Sequence, residues 1–371
     1  MKKVVHLSSV NKINDIRLFV KECRSLVRSG YAVTLVTPHD RNEIVDGVQI
    51  KAVPMPSCRL ERMTATAAWI YREAVRLNAD LYHFHMVELI PVGLLLRARG
   101  KKVIYDIYED MPRAILIRYY LPNYTKRPIS WLLERLENFA ARRFSALIAA
   151  TPTIGERFQA FNAQTIVANN YPLRDEFRPP DHISWTKRSP SVAYVGEIVP
   201  EHGLYQMVEA MACLPSHLNS TLKLAGSFSP PESYAHATHL PGWDRVEQLG
   251  ALNRSQVAQL LSQVSAGLVN YLPVPNKPES MPNKLFEYMS AGIPVVASNF
   301  PLWRRIIEDA GCGLLVDPKD PRAIAEAVEY LLTHPEEAEK MGKRGRKAVE
   351  ERYNWLIEEK KLLRLYKDLL E

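Results

Sequence analysis

The chain has 371 residues, 47% of them hydrophobic and 24% charged. That balance excludes collagen-like, disordered and disulfide-scaffold classes, and ordinary domain size predicts two units of similar mass. A net charge of +7 suits an anionic partner without choosing among nucleic acid, acidic lipid and a phosphorylated substrate. Cys23, Cys58, Cys213 and Cys312 are scattered, with no CxxC pair and no metal-ligand spacing, so reduced thiols in a cytoplasmic protein and no structural metal are expected.

Taken in chain order, Met1 to Val10 leads from two lysines into a short strand, too quickly polar for a secretory leader. Residues 4–7 read as a buried strand, 16–28 as an amphipathic helix ended by Gly30, and 32–37 as the next strand, which is a βαβ unit. The apolar run 89–96 is interrupted by Pro91 and Gly93 and is too short for a membrane span. Strands are expected at 81–85 and 102–106 with a short helix at 92–99 between them, then a helix at 129–142 and a strand at 146–150. This alternation predicts a parallel sheet covered on both faces.

A boundary is expected within 172–190, where Pro179, Pro180, Asp181 and Pro190 interrupt both periodicities. Beyond it, strands are read at 192–195, 222–225, 266–270 and 294–297, and helices at 204–211, 255–261 and Asn283–Ser290. The closing stretch 321–370 is helical by period, and its end is expected to pack back on the first domain. Two doubly wound parallel sheets with a central cleft follow, with ligands outside the carboxyl ends of the strands. The first turn reads Ser8, Ser9, Val10, Asn11, so the dinucleotide fingerprint GxGxxG is absent.

The strongest local signal is P-E-S-M-P-N-K-L-F-E-Y-M-S-A-G-I-P-V-V-A-S, residues 278–298. Glu279 falls in a loop, Pro282 and Asn283 open a helix, and Glu287 follows inside it. The free amides and positive dipole at that helix start suit a diphosphate, and Lys284 adds a cation. The two carboxylates suit the hydroxyls of a hexose and a ribose. Taken singly, Glu279 reads as a helix-start acid and Glu287 as a surface residue.

Together these residues resemble the E-x7-E donor motif of the family 4 glycosyltransferases, a retaining GT-B family. The likeness to cell-surface polysaccharide members continues in Asp15, Arg17, Glu22, Cys23, Arg24 and Gly30, in H-F-H-M-V-E-L at 83–89, Y-D-I-Y-E-D-M-P at 105–112, L-P-G-W at 240–243 and F-P-L-W at 300–303. It implies a GT-B fold with an acceptor domain at 1–178, a donor domain at 179–355 and a returning helix at 356–371. It also implies that Glu287 binds ribose, that Glu279 contacts the transferred sugar, and that Ser280 and Met281 offer backbone amides. Lys284, Asn283, Gly196 and Gly203 complete the donor side. Arg17, His85, Asp106 and Glu109 fall on the acceptor side. No metal and no cofactor beyond the sugar nucleotide are expected.

Four positions depart from the family pattern. In Y-V-G-E-I-V-P-E-H-G, 194–203, His202 stands where a lysine or arginine is common and Glu197 where an arginine or glycine is. Tyr108 replaces a frequent histidine, and Met86 an acidic residue. His202, expected as a partly protonated cation near phosphate, and Tyr108 join Glu279 as catalytic candidates. His83 and His85 alternate on one strand and share a face, but without a third ligand core or acceptor contacts are preferred to a metal.

Between Pro112 and Phe144, Arg113, Arg118, Lys126, Arg127, Arg135, Arg142 and Arg143 interleave with Tyr119, Tyr120, Tyr124 and Trp131. Such a segment suits an anionic membrane surface and a lipid-linked acceptor, as well as a solvated face with its aromatics turned inward. No nucleic-acid module is present. The reading is a retaining, metal-independent glycosyltransferase at the inner face of the cell membrane. The alternatives are a silent sugar-nucleotide-binding subunit and a sugar-nucleotide epimerase.

Overall fold

The computed structural model describes residues 1–11, 13–178, 185 and 188–371. The chain divides into two compact units, Met1–Asn170 with Trp355–Glu371, and Tyr171–Asn354.

In the first unit the strands are β1 (Lys3–Leu7), β2 (Ala32–Pro38), β3 (Glu43–Val45), β4 (Val48–Val53), β5 (Leu81–Phe84), β6 (Lys102–Ile107), β7 (Ala146–Ala149) and β8 (Thr165–Val167). They form one sheet in the order β3-β4-β2-β1-β5-β6-β7-β8, parallel except where β3 turns back on β4. The inner strands are near-continuous apolar runs because helices cover both faces. The order reverses at β1, with β2 on one side and β5 on the other, so the ligand-binding switch point lies at the carboxyl ends of these two strands. Phe84, Tyr105 and Phe144 pack together beside β5 and β6, Phe84 stacking on Tyr105 at 4.7 Å.

After β1 the chain enters a helix on wide π turns over Ile16–Cys23, with Asp15 accepting from Leu18 N, and tightens into α geometry at Arg24–Arg28. The long helix α1 (Asn123–Ala141) begins ahead of its expected start at 129, with Pro128 inside its first turns. The C-terminal helix (Trp355–Leu370) completes this unit. Trp355 is fully buried and lies 3.0 Å from Ser25 Oγ through its indole nitrogen, and Glu358 accepts from Asn169 N at 3.1 Å.

The second unit holds β9 (Ser189–Val195), β10 (Thr221–Ala225), β11 (Val246–Gly250), β12 (Val264–Val269), β13 (Val295–Ser298) and β14 (Gly313–Val316). All are parallel, in the order β11-β10-β9-β12-β13-β14. Its switch point is between β9 and β12. Three helices position the site: α2 (Leu204–Cys213), α3 (Arg254–Gln263) and α4 (Asn283–Ser290).

The units meet in sequence at Asn170 and Tyr171, ahead of the expected 172–190. The reason is packing: Tyr171 lies 4.7 Å from the Phe286 ring and 5.4 Å from Tyr353, and Phe177 is 1% exposed in the same core. Pro179, Pro180 and Asp181 lie outside the described residues.

Candidate active site

In the second unit the chain leaves β9 at Gly196 and β12 at Asn270, the two sides of the switch point. Lys284, in the first turn of α4, reaches back to this place. Its ammonium group sits 3.6 Å from the centre of the Tyr194 ring and 5.3 Å from that of Tyr271, and a Cβ added to Gly196, whose φ is +119°, would come within 3.3 Å of it. Burial lowers the lysine's pKa well below its usual value; Glu287 raises it and Lys277 lowers it further. A lysine held by two aromatic faces is a cation in waiting for an anion that supplies the missing charge.

Pro282, at the N-cap of α4, offers no side-chain acceptor to the first amides of the helix. One turn further on, buried Glu287 accepts from Arg254 Nη1 at 2.7 Å, and Arg254 Nε bonds Glu176 at 2.7 Å. Two carboxylates thus orient one guanidinium, whose pKa rises despite its burial. Gly203, at φ +74°, ends a short turn over Pro200–His202 and opens α2. A side chain there would collide with the Asn270 backbone carbonyl.

His202 stacks on Tyr271 with ring centroids 4.0 Å apart. Its Nδ1 lies 2.7 Å from Tyr194 Oη and 3.0 Å from the Glu197 carbonyl oxygen, which can only accept, so this nitrogen carries the proton and donates. Burial, then the charges of Lys284 and Lys277, push the imidazole down to about 2. The expected partly protonated cation is therefore a neutral ring in this structure, and the group that can meet an anion with positive charge is Lys284. Glu197 turns to solvent.

Ser280 departs from expectation as well. Its amide bonds the Lys277 carbonyl at 3.0 Å, its hydroxyl the same oxygen at 2.8 Å, and its own carbonyl accepts from Trp303 Nε1 at 2.7 Å. The turn that presents Glu279 already uses the Ser280 amide, so Ser280 supports the loop from behind. Glu279 and Asn283 are exposed, and Met281 is half-buried against the core.

In the first unit, Arg17 makes a two-pronged ion pair with Asp106, 3.0 and 2.9 Å, and bonds the Ala168 carbonyl at 2.8 Å. Burial alone would raise Asp106, but Arg17 and the contact with His85 outweigh it and hold the carboxyl well below the usual range. His85 Nδ1 lies 2.7 Å from Tyr108 Oη. Arg17, His85 and Asp106 are all buried, whereas Tyr108 is half-buried. Glu109 pairs at 3.0 Å with Arg118. Arg17, His85 and Asp106 thus form one interior network with Tyr108 as its outward member.

The description "Glycosyl transferase 4-like domain" matches residues 19–169, and "Glycosyl transferases group 1" matches residues 179–348. The chain belongs to the family 4 glycosyltransferases. Among relatives of this family, the capsular polysaccharide biosynthesis glycosyltransferase CapM of Staphylococcus aureus is 24% identical over 186 residues, 48% of this chain and 46% of that protein. A phosphatidyl-myo-inositol mannosyltransferase of Mycobacterium leprae is 38% identical over 88 residues, 24% of this chain and 23% of that protein. The matched stretch spans less than half the length of either relative. Among solved structures, sucrose-phosphate synthase from Thermosynechococcus elongatus superposes with a TM-score of 0.80 at 18% identity, covering 100% of this chain and 99% of that one. Anabaena HepE in complex with UDP-glucose gives 0.74 at 16%, covering 99% and 100%. These likenesses establish the GT-B fold.

Within that family frame, the E-x7-E pair was legible because both glutamates belong to one loop and helix. Tyr194, Asn270, Tyr271 and Arg254 were missed, since they reach the site from β9, β12 and α3. A usable signal was present: Tyr194 precedes Gly196, and Tyr271 follows the strand expected at 266–270.

Proposed function

We propose that this chain is a retaining, metal-independent glycosyltransferase, moving a sugar from a nucleoside diphosphate sugar to a lipid-linked saccharide in cell-surface polysaccharide or glycolipid assembly. The observation that carries the donor side is Lys284, poised at the switch point above Gly196, on the same helix as Glu287. The retained configuration rests on the E-x7-E likeness, and the diphosphate donor is supported by the UDP-glucose complex of HepE. Glu287 receives the ribose hydroxyls and Glu279 the transferred sugar. Lys284 and the first amides of α4 take the charge that develops on the departing diphosphate. On the acceptor side, His85 positions Tyr108.

Calorimetric titration with UDP, GDP and ADP tests this reading, and one base is expected to bind. The Lys284 pKa is lowered in the free protein and rises when a diphosphate arrives, so binding takes up protons. Affinity is highest below the free lysine's pKa and falls as pH rises through the value acquired in the complex. Across a pH series above the terminal phosphate's ionisation, two buffers of different ionisation enthalpy should give different binding heats wherever the free lysine is neutral and the bound one charged. Lys284→Met should abolish the difference. No binding to any nucleotide rejects the donor reading, and binding without transfer to any lipid-linked acceptor favours the silent-subunit alternative.

No helix among the described residues is long and apolar enough to cross a membrane. The membrane side of the proposal rests on α1, where Tyr124, Trp131 and Leu132 are 82%, 58% and 64% exposed. Arg135 and Arg143 lie over the Trp131 and Phe139 rings, so bulky apolar groups and cations share one face, as an anionic lipid surface requires. The chain should co-sediment with phosphatidylglycerol vesicles and not with phosphatidylcholine vesicles. Reversing Arg127 and Arg135 to glutamate should weaken this at least about tenfold. Equal partition onto both kinds of vesicle would reject an electrostatic surface.

A further inference from the structure

His6 on β1 and His83 on β5 are direct partners across the parallel pair, and His85, two residues on, adds its side chain to the same group. The π-turned helix brings Glu22 to them. One nitrogen from each of the three rings and one Glu22 oxygen all lie within 4.8 Å of one another, and none of the four residues is more than 3% exposed. Within this group, Glu22 Oε2 and His83 Nε2 are buried without a hydrogen-bond partner. Buried polar groups are normally paired, and two unpaired in one cluster mark a place that can take a further ligand.

We propose that His6, Glu22, His83 and His85 form a binding site for a divalent transition metal, zinc foremost. Three imidazoles and a carboxylate are a zinc donor set. Bonds of about 2.0 to 2.1 Å in a tetrahedron place neighbouring ligand atoms roughly 3.3 Å apart. Here His6 Nδ1 and His85 Nε2 are 2.9 Å apart, His85 Nε2 and Glu22 Oε2 3.8 Å, and His83 Nδ1 and Glu22 Oε2 3.9 Å. Metal-bound imidazoles donate their other N–H to an outer partner. His6 Nε2 has Tyr366 Oη at 3.2 Å and His85 Nδ1 has Tyr108 Oη at 2.7 Å, whereas His83 Nδ1 bonds Tyr366 Oη at 2.8 Å and must exchange that bond for the metal, its Nε2 standing 3.8 Å from Asp106 Oδ2.

The charges fit as well. Arg17 pairs with Asp106 and lies 3.2 Å from Glu22 Oε1, which leaves Glu22 Oε2 to face the ion. Four protein ligands and deep burial make the site structural, a clamp on β1, β5 and the helix between Asp15 and Gly30 that also fixes His85 behind Tyr108.

Untagged full-length chain, grown with added zinc and purified without chelators, should carry about one zinc by plasma mass spectrometry. Cobalt substituted for zinc should give the visible bands of a tetrahedral site. Glu22→Gln, which keeps the side chain's shape, and His6→Gln should each lower metal content at least about tenfold. Circular dichroism and the urea transition of the first unit report whether each variant is folded. A metal-free wild-type chain after dialysis against zinc overturns the proposal, and so do folded variants that keep wild-type zinc content.

Discussion

Glu287→Gln is expected to weaken nucleoside diphosphate binding by roughly 10- to 100-fold, the loss of a hydrogen bond to a charged group at about 1.5 to 3 kcal/mol. The carboxylate accepts from Arg254 through Oε1, which leaves its other oxygen for a ribose hydroxyl. Glutamine keeps the shape and removes the charge. Arg254 remains tied to Glu176, so the helix ends on either side should hold and the thermal midpoint should change little. Calorimetry of the folded variant measures the effect. Unchanged affinity would remove Glu287 from the donor site, and a collapsed midpoint would show that its role is to hold Arg254. Glu176→Gln, which touches the same guanidinium from the other side, should leave nucleotide affinity within about threefold.

Gly203→Ala should strongly destabilise the second unit. The left-handed backbone costs an alanine about 1 to 2 kcal/mol, and relieving the collision with Asn270 adds about 1 to 3 kcal/mol, as overpacking in cores does. The sum is a large part of the roughly 5 to 15 kcal/mol that holds an ordinary domain together. In urea, the transition of the second unit should move to markedly lower denaturant while that of the first stays in place. Nucleotide affinity should fall with it, because His202 and the start of α2 flank the substituted residue. An unaltered urea profile would mean that Gly203 and Asn270 do not approach this closely.

Much of the fold was legible because buried parallel strands advertise themselves. Val4 to Leu7 and Ala146 to Ala149 are short apolar runs between polar turns, and little else suits them. Glu43–Val45 went unread because it is short and exposed in its middle, whereas Val48–Val53, V-Q-I-K-A-V, opens with the alternation of a half-buried strand and was a usable signal passed over. Val246–Gly250 is an edge strand with mostly accessible side chains and gave no clear period. The donor motif was legible for the same local reason as the strands. The charge of His202 was misjudged because burial and two lysines, all brought there by the fold, outweigh the pull of an expected phosphate. His83 and His85 lacked a third partner in the sequence; that partner is His6, visible only once β1 is laid beside β5.

The C-terminal helix gives the first unit an unusual order of assembly. Tyr366 reaches His6 and His83, and Trp355 fills the space beside Ser25, yet these residues are made only after all of Tyr171–Asn354. On the ribosome, the earlier-made residues must wait for a late segment to close their interior, while the later-made unit has its whole core to hand. Synthesis should therefore leave the donor half folded first, and a chain stopped at Asn354 should retain its nucleotide site while its first 170 residues stay loose.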